Sequence, residues 1–178
     1  MTNQLYLQAS YGQYANSQQP STAALQLYRS ARAKAWLGKL GSRVTGRSQR
    51  MPRLEDIRAS SDVRGSHYAG LQQVPIDRIR GSEGREAGFD ANMYPTEASS
   101  RGRWMGIAAA RRGGVTLPPV SLIQVGDVYF VRDGHHRVSV AKALGEEYIG
   151  AEVTVLELAG ALPGKRLGSA PGLALQPA

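Results

Sequence analysis

The segment from Val120 to Leu158 constrains the fold more than any other part of the chain. Val120 and Leu122 alternate with Ser121 and Ile123, "VGD" makes a tight turn, and Val128 to Val131 supply a second apolar run. This spacing predicts two strands joined by a short turn. Asp133-Gly134 then breaks the run. "HHRVSVAKAL" follows with helical character, and Gly145 stands where a helix C-terminal cap is expected. "AEVTVLEL", Ala151 to Leu158, reads as the next strand. The order strand, strand, helix, strand predicts an α/β or α+β domain with a small mixed sheet and packed helices.

Upstream the pattern is weaker. "VPIDRI", Val74 to Ile79, predicts a short strand and its exit, with Pro75 at an edge or strand start. "RASSDVRGSHYAGLQQ" reads as loop, and so does "RGSEGREAGFDANMY". Pro95, Thr96 and Glu97 open a predicted helix that buries Trp104, Ile107 and Ala108 and ends at Gly113-Gly114. Near the N-terminus, Leu25, Tyr28, Trp36 and Leu40, with Ala31 and Ala35, are spaced as one face of a basic amphipathic helix. The expected organisation is a disordered segment over 1–20, the basic helix and connector over 21–70, a domain over 71–158 and a flexible tail over 159–178.

Charge is unevenly placed. Residues 1–53 hold eight Lys/Arg and no Asp or Glu, while residues 54–178 hold 14 of each sign. The net charge of +8 therefore resides in the N-terminal third. That asymmetry predicts an anionic partner, such as DNA or another nucleic acid meeting the basic segment 29–53 or an anionic membrane surface, or else a solvated basic tail. No secretory signal or membrane span is legible, so a cytoplasmic protein is expected. The chain has no cysteine, which removes disulfides, thiolate metal ligands and thiol nucleophiles.

Chemistry concentrates at Asp133, Gly134, His135, His136 and Arg137, between a strand and a helix. A helix N-terminus offers free N–H groups and partial positive charge. Gly134 permits close approach of a ligand to the backbone. Cationic or polar residues in the first turn oppose the local preference for acids, and a bound anion resolves the conflict. Arg137 can grip phosphate or carboxylate with two N–H groups, and each histidine can donate or exchange a proton near neutral pH. The bland alternative is that Asp133 caps the helix, the histidines lie exposed and Arg137 pairs with a carboxylate. No metal is expected: adjacent histidines on a helix diverge by roughly 100°, unlike an i,i+4 pair.

"VPIDRI", then "LPPVSLIQVGDVYFVRDGHHRVSVAKALG" and "AEVTVLEL", resemble the ParB/sulfiredoxin superfamily over about Gln72 to Leu158. The resemblance implies that superfamily's fold. It also separates several chemistries. Sulfiredoxins are similar at Gly134, His136 and Arg137 but need cysteine where this chain has His135, so that activity is excluded. Chromosome-partitioning ParB proteins hold CTP phosphates on a similar turn, matched here by Gly134, Arg137 and Ala141. Their second nucleotide motif is missing, as is a helix-turn-helix after residue 158. Free-serine kinases carry a turn that looks like Asp133 to Arg137, together with a catalytic glutamate after the first strand. Glu83 or Glu86 falls in that region here, and Asp90 is a third candidate.

Three readings remain at this level. The first is a nucleotide- or phosphate-binding ParB-like module, associated with DNA through its basic segment. The second is a small-molecule kinase that uses Glu83, His136 and a nucleotide tri- or diphosphate with Mg2+. The third is a non-catalytic interaction protein. Arg101, Arg103 and Tyr94 invite a nucleic-acid reading, but Trp104 at helical spacing with Ile107 predicts core.

Overall fold

A computed structural model describes residues 22–45, 51–84 and 88–159. Along the chain these form α1 (Thr22–Thr45), α2 (Leu54–Ser60), β1 (Val63–Pro75), a 3-10 turn (Ile76–Arg78), β2 (Ile79–Ser82), α3 (Arg101–Arg112), β3 (Val120–Val125), β4 (Val128–Asp133), α4 (His135–Leu144) and β5 (Tyr148–Leu158). The five strands make one mixed sheet in the order β1-β5-β3-β4-β2. β3 and β4 pair antiparallel as a hairpin, closing at Val125 and Val128. β5 returns parallel to β3, and β2 lies parallel to β4. The predicted α+β class with a small mixed sheet is the observed architecture.

Period-two alternation places the sheet between two unequal apolar layers. Val120, Leu122, Tyr129, Val131, Ala151 and Val153 face α1, α3 and α4, where they meet Tyr28, Trp104, Ile107 and Val138. Ile123, Val125, Val128, Phe130 and Leu156 face the other way and are covered by Leu54 of α2. Trp104 is fully buried, and its indole Nε1–H donates to Ser139 Oγ at 2.9 Å, tying α3 to α4. Ile107 and Ala108 are buried as predicted, and the helix ends at Gly113.

Four expectations change. The segment read as loop before Val74 is most of β1, thirteen residues paired antiparallel with β5. β1 is an edge strand that buries only Val74, so its sequence carries little apolar alternation, and its ladder comes from a distant partner. "VPIDRI" is divided between the end of β1, the 3-10 turn and the start of β2. The helix expected from Thr96 begins at Arg101, because Thr96 N–H donates to Gly88 C=O and Pro95 bridges Phe89. On α1, Ala24, Tyr28, Ala31 and Ala35 are buried, whereas Trp36 and Leu40 are 61% and 41% exposed. At 100° per residue these two lie roughly 80° and 120° around the helix from Tyr28.

β1 also crosses the boundary expected between residues 70 and 71, and α1 shares one core with the sheet. The disorder expected over 1–20 and, apart from Ala159, the tail expected over 159–178 fall outside the described residues.

Candidate functional site

Because β2 and β4 run parallel, their carboxyl ends emerge side by side, with Ser82 opposite Val131. In open sheets such strand ends are where ligands collect. The turn from β4 into α4 and the polar loop after β2 therefore meet at one corner. Gly134 makes that turn possible. Its φ of 96° is left-handed, and a Cβ there would lie 2.6 Å from Val120 Cγ1. Both the backbone conformation and the packing require glycine.

Arg137 is committed to the turn itself. Nη1 donates to Pro118 C=O and to Pro119 C=O, both at 2.7 Å, and Nη2 donates to Asp133 Oδ2 at 2.6 Å. The guanidinium thus ties the lead-in of β3 to the start of α4. Asp133 is 74% exposed, so this ion pair opens onto solvent.

The two histidines play different parts. His135 is buried, and its Nε2 lies 2.7 Å from Ser82 Oγ. The Phe89 ring stacks on His135 with centroids 6.1 Å apart and meets His136 edge-on at 5.1 Å. His136 is half-buried. The loop carrying Phe89 thus covers both imidazoles.

The candidate carboxylates are also sorted. Glu83 accepts from Arg132 Nε at 2.7 Å and from Arg58 Nη2 at 3.0 Å. Burial raises its pKa, but the hydrogen bonds and charges of Arg132 and then Arg58 outweigh burial and hold it below the ordinary value. Glu83 is therefore a fixed anion and a poor proton acceptor. Glu86 lies outside the described residues. Asp90 is only 5% exposed. Its Oδ1 accepts the backbone N–H groups of Asn92 at 2.9 Å and Tyr94 at 2.8 Å. Its Oδ2 is buried and has no hydrogen-bond partner among the described residues. Burial pushes its pKa up, against those N–H groups and the charges of Lys142 and Lys39.

The structure brings Asp133, Gly134, His135, His136, Arg137 and Glu83 to one corner. Asp90 is adjacent to Phe89, which contacts both histidines. Ser82, Phe89, Arg58 and Arg132 are members that sequence reasoning did not single out. Ser82 and Glu83 carried a signal, a polar pair at the end of a short strand. Arg58, on α2, carried none. Among the described residues no group of three or more His, Cys, Asp or Glu is placed to hold a metal. No helix there is long and apolar enough to cross a membrane.

Part of the basic N-terminal charge has internal work. Arg32 Nη2 donates to Thr96 C=O at 3.2 Å, and Lys34 Nζ sits 5.6 Å from the Tyr94 ring centroid. Trp36, Leu37 and Leu40 form an exposed apolar stripe on the same helix. Arg43, Arg47 and Arg50 contribute no described side chain.

No protein-family model matches the chain, and no curated protein matches it. Among solved structures the chain is similar to sulfiredoxin from Arabidopsis thaliana, with 20% identity and a TM-score of 0.35. The match covers 47% of this chain and 82% of that one.

Proposed function

We propose that the corner formed by β2, β4 and α4 binds the phosphates of a nucleotide, making this a ParB-like nucleotide-binding domain. The supporting observation is the Gly134 turn, which opens α4 at the carboxyl ends of two parallel strands. The first-turn N–H groups of the helix, His136 and Arg137 lie at this turn, and two further arginines, Arg58 and Arg132, pair with Glu83 just after β2. Glu83 and Asp133 offset two of those three charges. The remaining positive charge and the helix dipole favour an anion. In this reading a nucleoside tri- or diphosphate arrives with Mg2+, and the basic segment 29–53 carries DNA association.

Calorimetry with CTP, ATP, ADP and GTP, each with and without Mg2+, tests the reading. One of the four binds, and His136→Ala weakens it by about tenfold or more, the loss of roughly one charge-assisted hydrogen bond. No binding by any nucleotide, or binding indifferent to His136→Ala, refutes it. DNA affinity should fall steeply with salt. A salt-independent or absent DNA interaction removes that role from segment 29–53.

A second reading, phosphoryl transfer to a small alcohol, is favoured by Asp90. Its carboxylate is buried with its pKa raised, so it is a better base than the arginine-bound Glu83. In such a step the alcohol oxygen bonds to the terminal phosphorus as the bond to the nucleoside diphosphate breaks. The hydroxyl proton passes to Asp90. Asp90→Asn should then keep nucleotide binding and lose alcohol-dependent ADP release. Turnover retained in Asp90→Asn eliminates this role.

A further inference from the structure

A pocket opens at the end of α4 away from the Gly134 turn. It has a volume of about 580 Å³ and lies between Pro75–Arg80 and the segment from Lys142 to Tyr148. That volume falls within the ~300–1,000 Å³ range of small-molecule sites. Lys142 is seven residues beyond His135, about 10 Å along the helix axis. The pocket is therefore separate from the Gly134 turn.

Its lining sets Arg78, Arg80 and Lys142 against Asp77, Glu146 and Glu147, and these charges are not paired with one another. Arg80 and Lys142 are half-buried on the inner wall. Among the described residues neither side chain has a hydrogen bond or ion pair. Of the acids nearby, Glu146 is held through both oxygens by Arg111 of α3. Asp77 and Glu147 are exposed at the rim. Burial lowers the pKa of Lys142, the charge of Arg80 lowers it further, and Asp90 and Asp77 act in the opposite direction. Two cations share a wall, and neither is bonded to a carboxylate. An oxyanion between them would relieve their repulsion and replace the water each has lost. The guanidinium can bind such a group with two N–H donors, and the ammonium adds a point charge. Pro75, Ile76 and Tyr148 provide apolar surface for a carbon body.

We propose that Arg80 and Lys142 form an oxyanion subsite for a small organic phosphate or carboxylate. This subsite does not depend on nucleotide binding at the Gly134 turn.

The test uses the full-length wild-type chain. Lysines are acetylated, and in a parallel reaction arginines are modified with phenylglyoxal, with or without pyrophosphate or citrate. Peptide mass spectrometry reads each site. Lys142 and Arg80 should both be protected, by about fivefold once the anion exceeds its Kd severalfold. Lys34 and Lys39 should be unaffected. Protection by pyrophosphate alone assigns a phosphate ligand, and protection by citrate alone assigns a carboxylate. The same protection in His136→Gln separates this site from the turn. The proposal is overturned if neither anion protects Lys142 and Arg80, if all lysines are protected alike, or if protection disappears in His136→Gln. Loss of nucleotide binding at the turn, with Lys142 still protected, would refute only the function proposed above.

Discussion

His135 Nε2 and Ser82 Oγ meet at 2.7 Å in a buried corner, linking the first turn of α4 to the last residue of β2. The first histidine of the pair thus ties α4 to β2, and the second is half-buried with the Phe89 ring edge-on to it. Ser82→Ala removes this hydroxyl from a buried imidazole and should cost about 1–3 kcal/mol. Urea denaturation of both proteins measures it. A change within experimental error would mean that the pair does not hold the corner.

Gly134→Ala introduces a Cβ 2.6 Å from Val120 Cγ1 at a left-handed φ. Backbone strain and overpacking each cost about 1–3 kcal/mol, so a loss of at least 2 kcal/mol is expected. The thermal midpoint should fall accordingly. Gly84→Ala is the control, since nothing lies within 4 Å of a Cβ there.

Glu83 and Asp90 should respond oppositely to acid. The pKa of Glu83 is lower in the fold than its ordinary value of 4.5. Its stabilising contribution is therefore complete above that value and is lost as pH falls through the lowered one. Glu83→Gln should cost about 1 kcal/mol at pH 7, because the pairs are partly solvated, and less in acid. The pKa of Asp90 is raised above 3.8. The cost of burying its charge is present above the raised value and is relieved as pH falls through it. Wild-type stability should therefore rise relative to Asp90→Asn on acidification. Paired denaturation curves from pH 7 to pH 3 test both signs.

The two tryptophans should be spectroscopically distinct. Trp104 is buried and bonded to Ser139, while Trp36 is exposed. Trp36→Phe should leave a blue-shifted emission shielded from acrylamide, and Trp104→Phe a red-shifted, readily quenched one. Trp36→Ala should change stability by less than about 0.5 kcal/mol. If Trp36 is instead shielded in the full-length protein, another segment or a second copy covers the α1 stripe.

Much of the site was legible because its signals are local. Asp133-Gly134 ends a strand, a helix follows, and the residues of the first turn are fixed by adjacency alone. Roles were less legible than positions. Arg137 has the right chemistry for an anion, yet Pro118, Pro119 and Asp133 occupy three of its hydrogen bonds. Glu83 and Asp90 look alike as loop acids. Arg58 arrives from α2 and Arg132 from β4 to make Glu83 a fixed charge. The fold around Asp90 strips its Oδ2 of partners among the described residues.

The sequence by itself determined the hairpin of β3 and β4, the Gly134 turn, α4 and β5, because period-two alternation, turn residues and a helix cap are encoded within a few positions. It also determined the absence of thiol chemistry and the crowding of positive charge into residues 1–53. Tertiary structure alone decided that residues 63–75 form a strand, since an exposed edge strand takes its ladder from β5, 79 residues along the chain at the Gln72–Ala151 pair. It alone turned Trp36 and Leu40 outward, set His135 on Ser82 and placed Arg80 beside Lys142. Those relationships depend on how distant elements pack, and no local pattern records them.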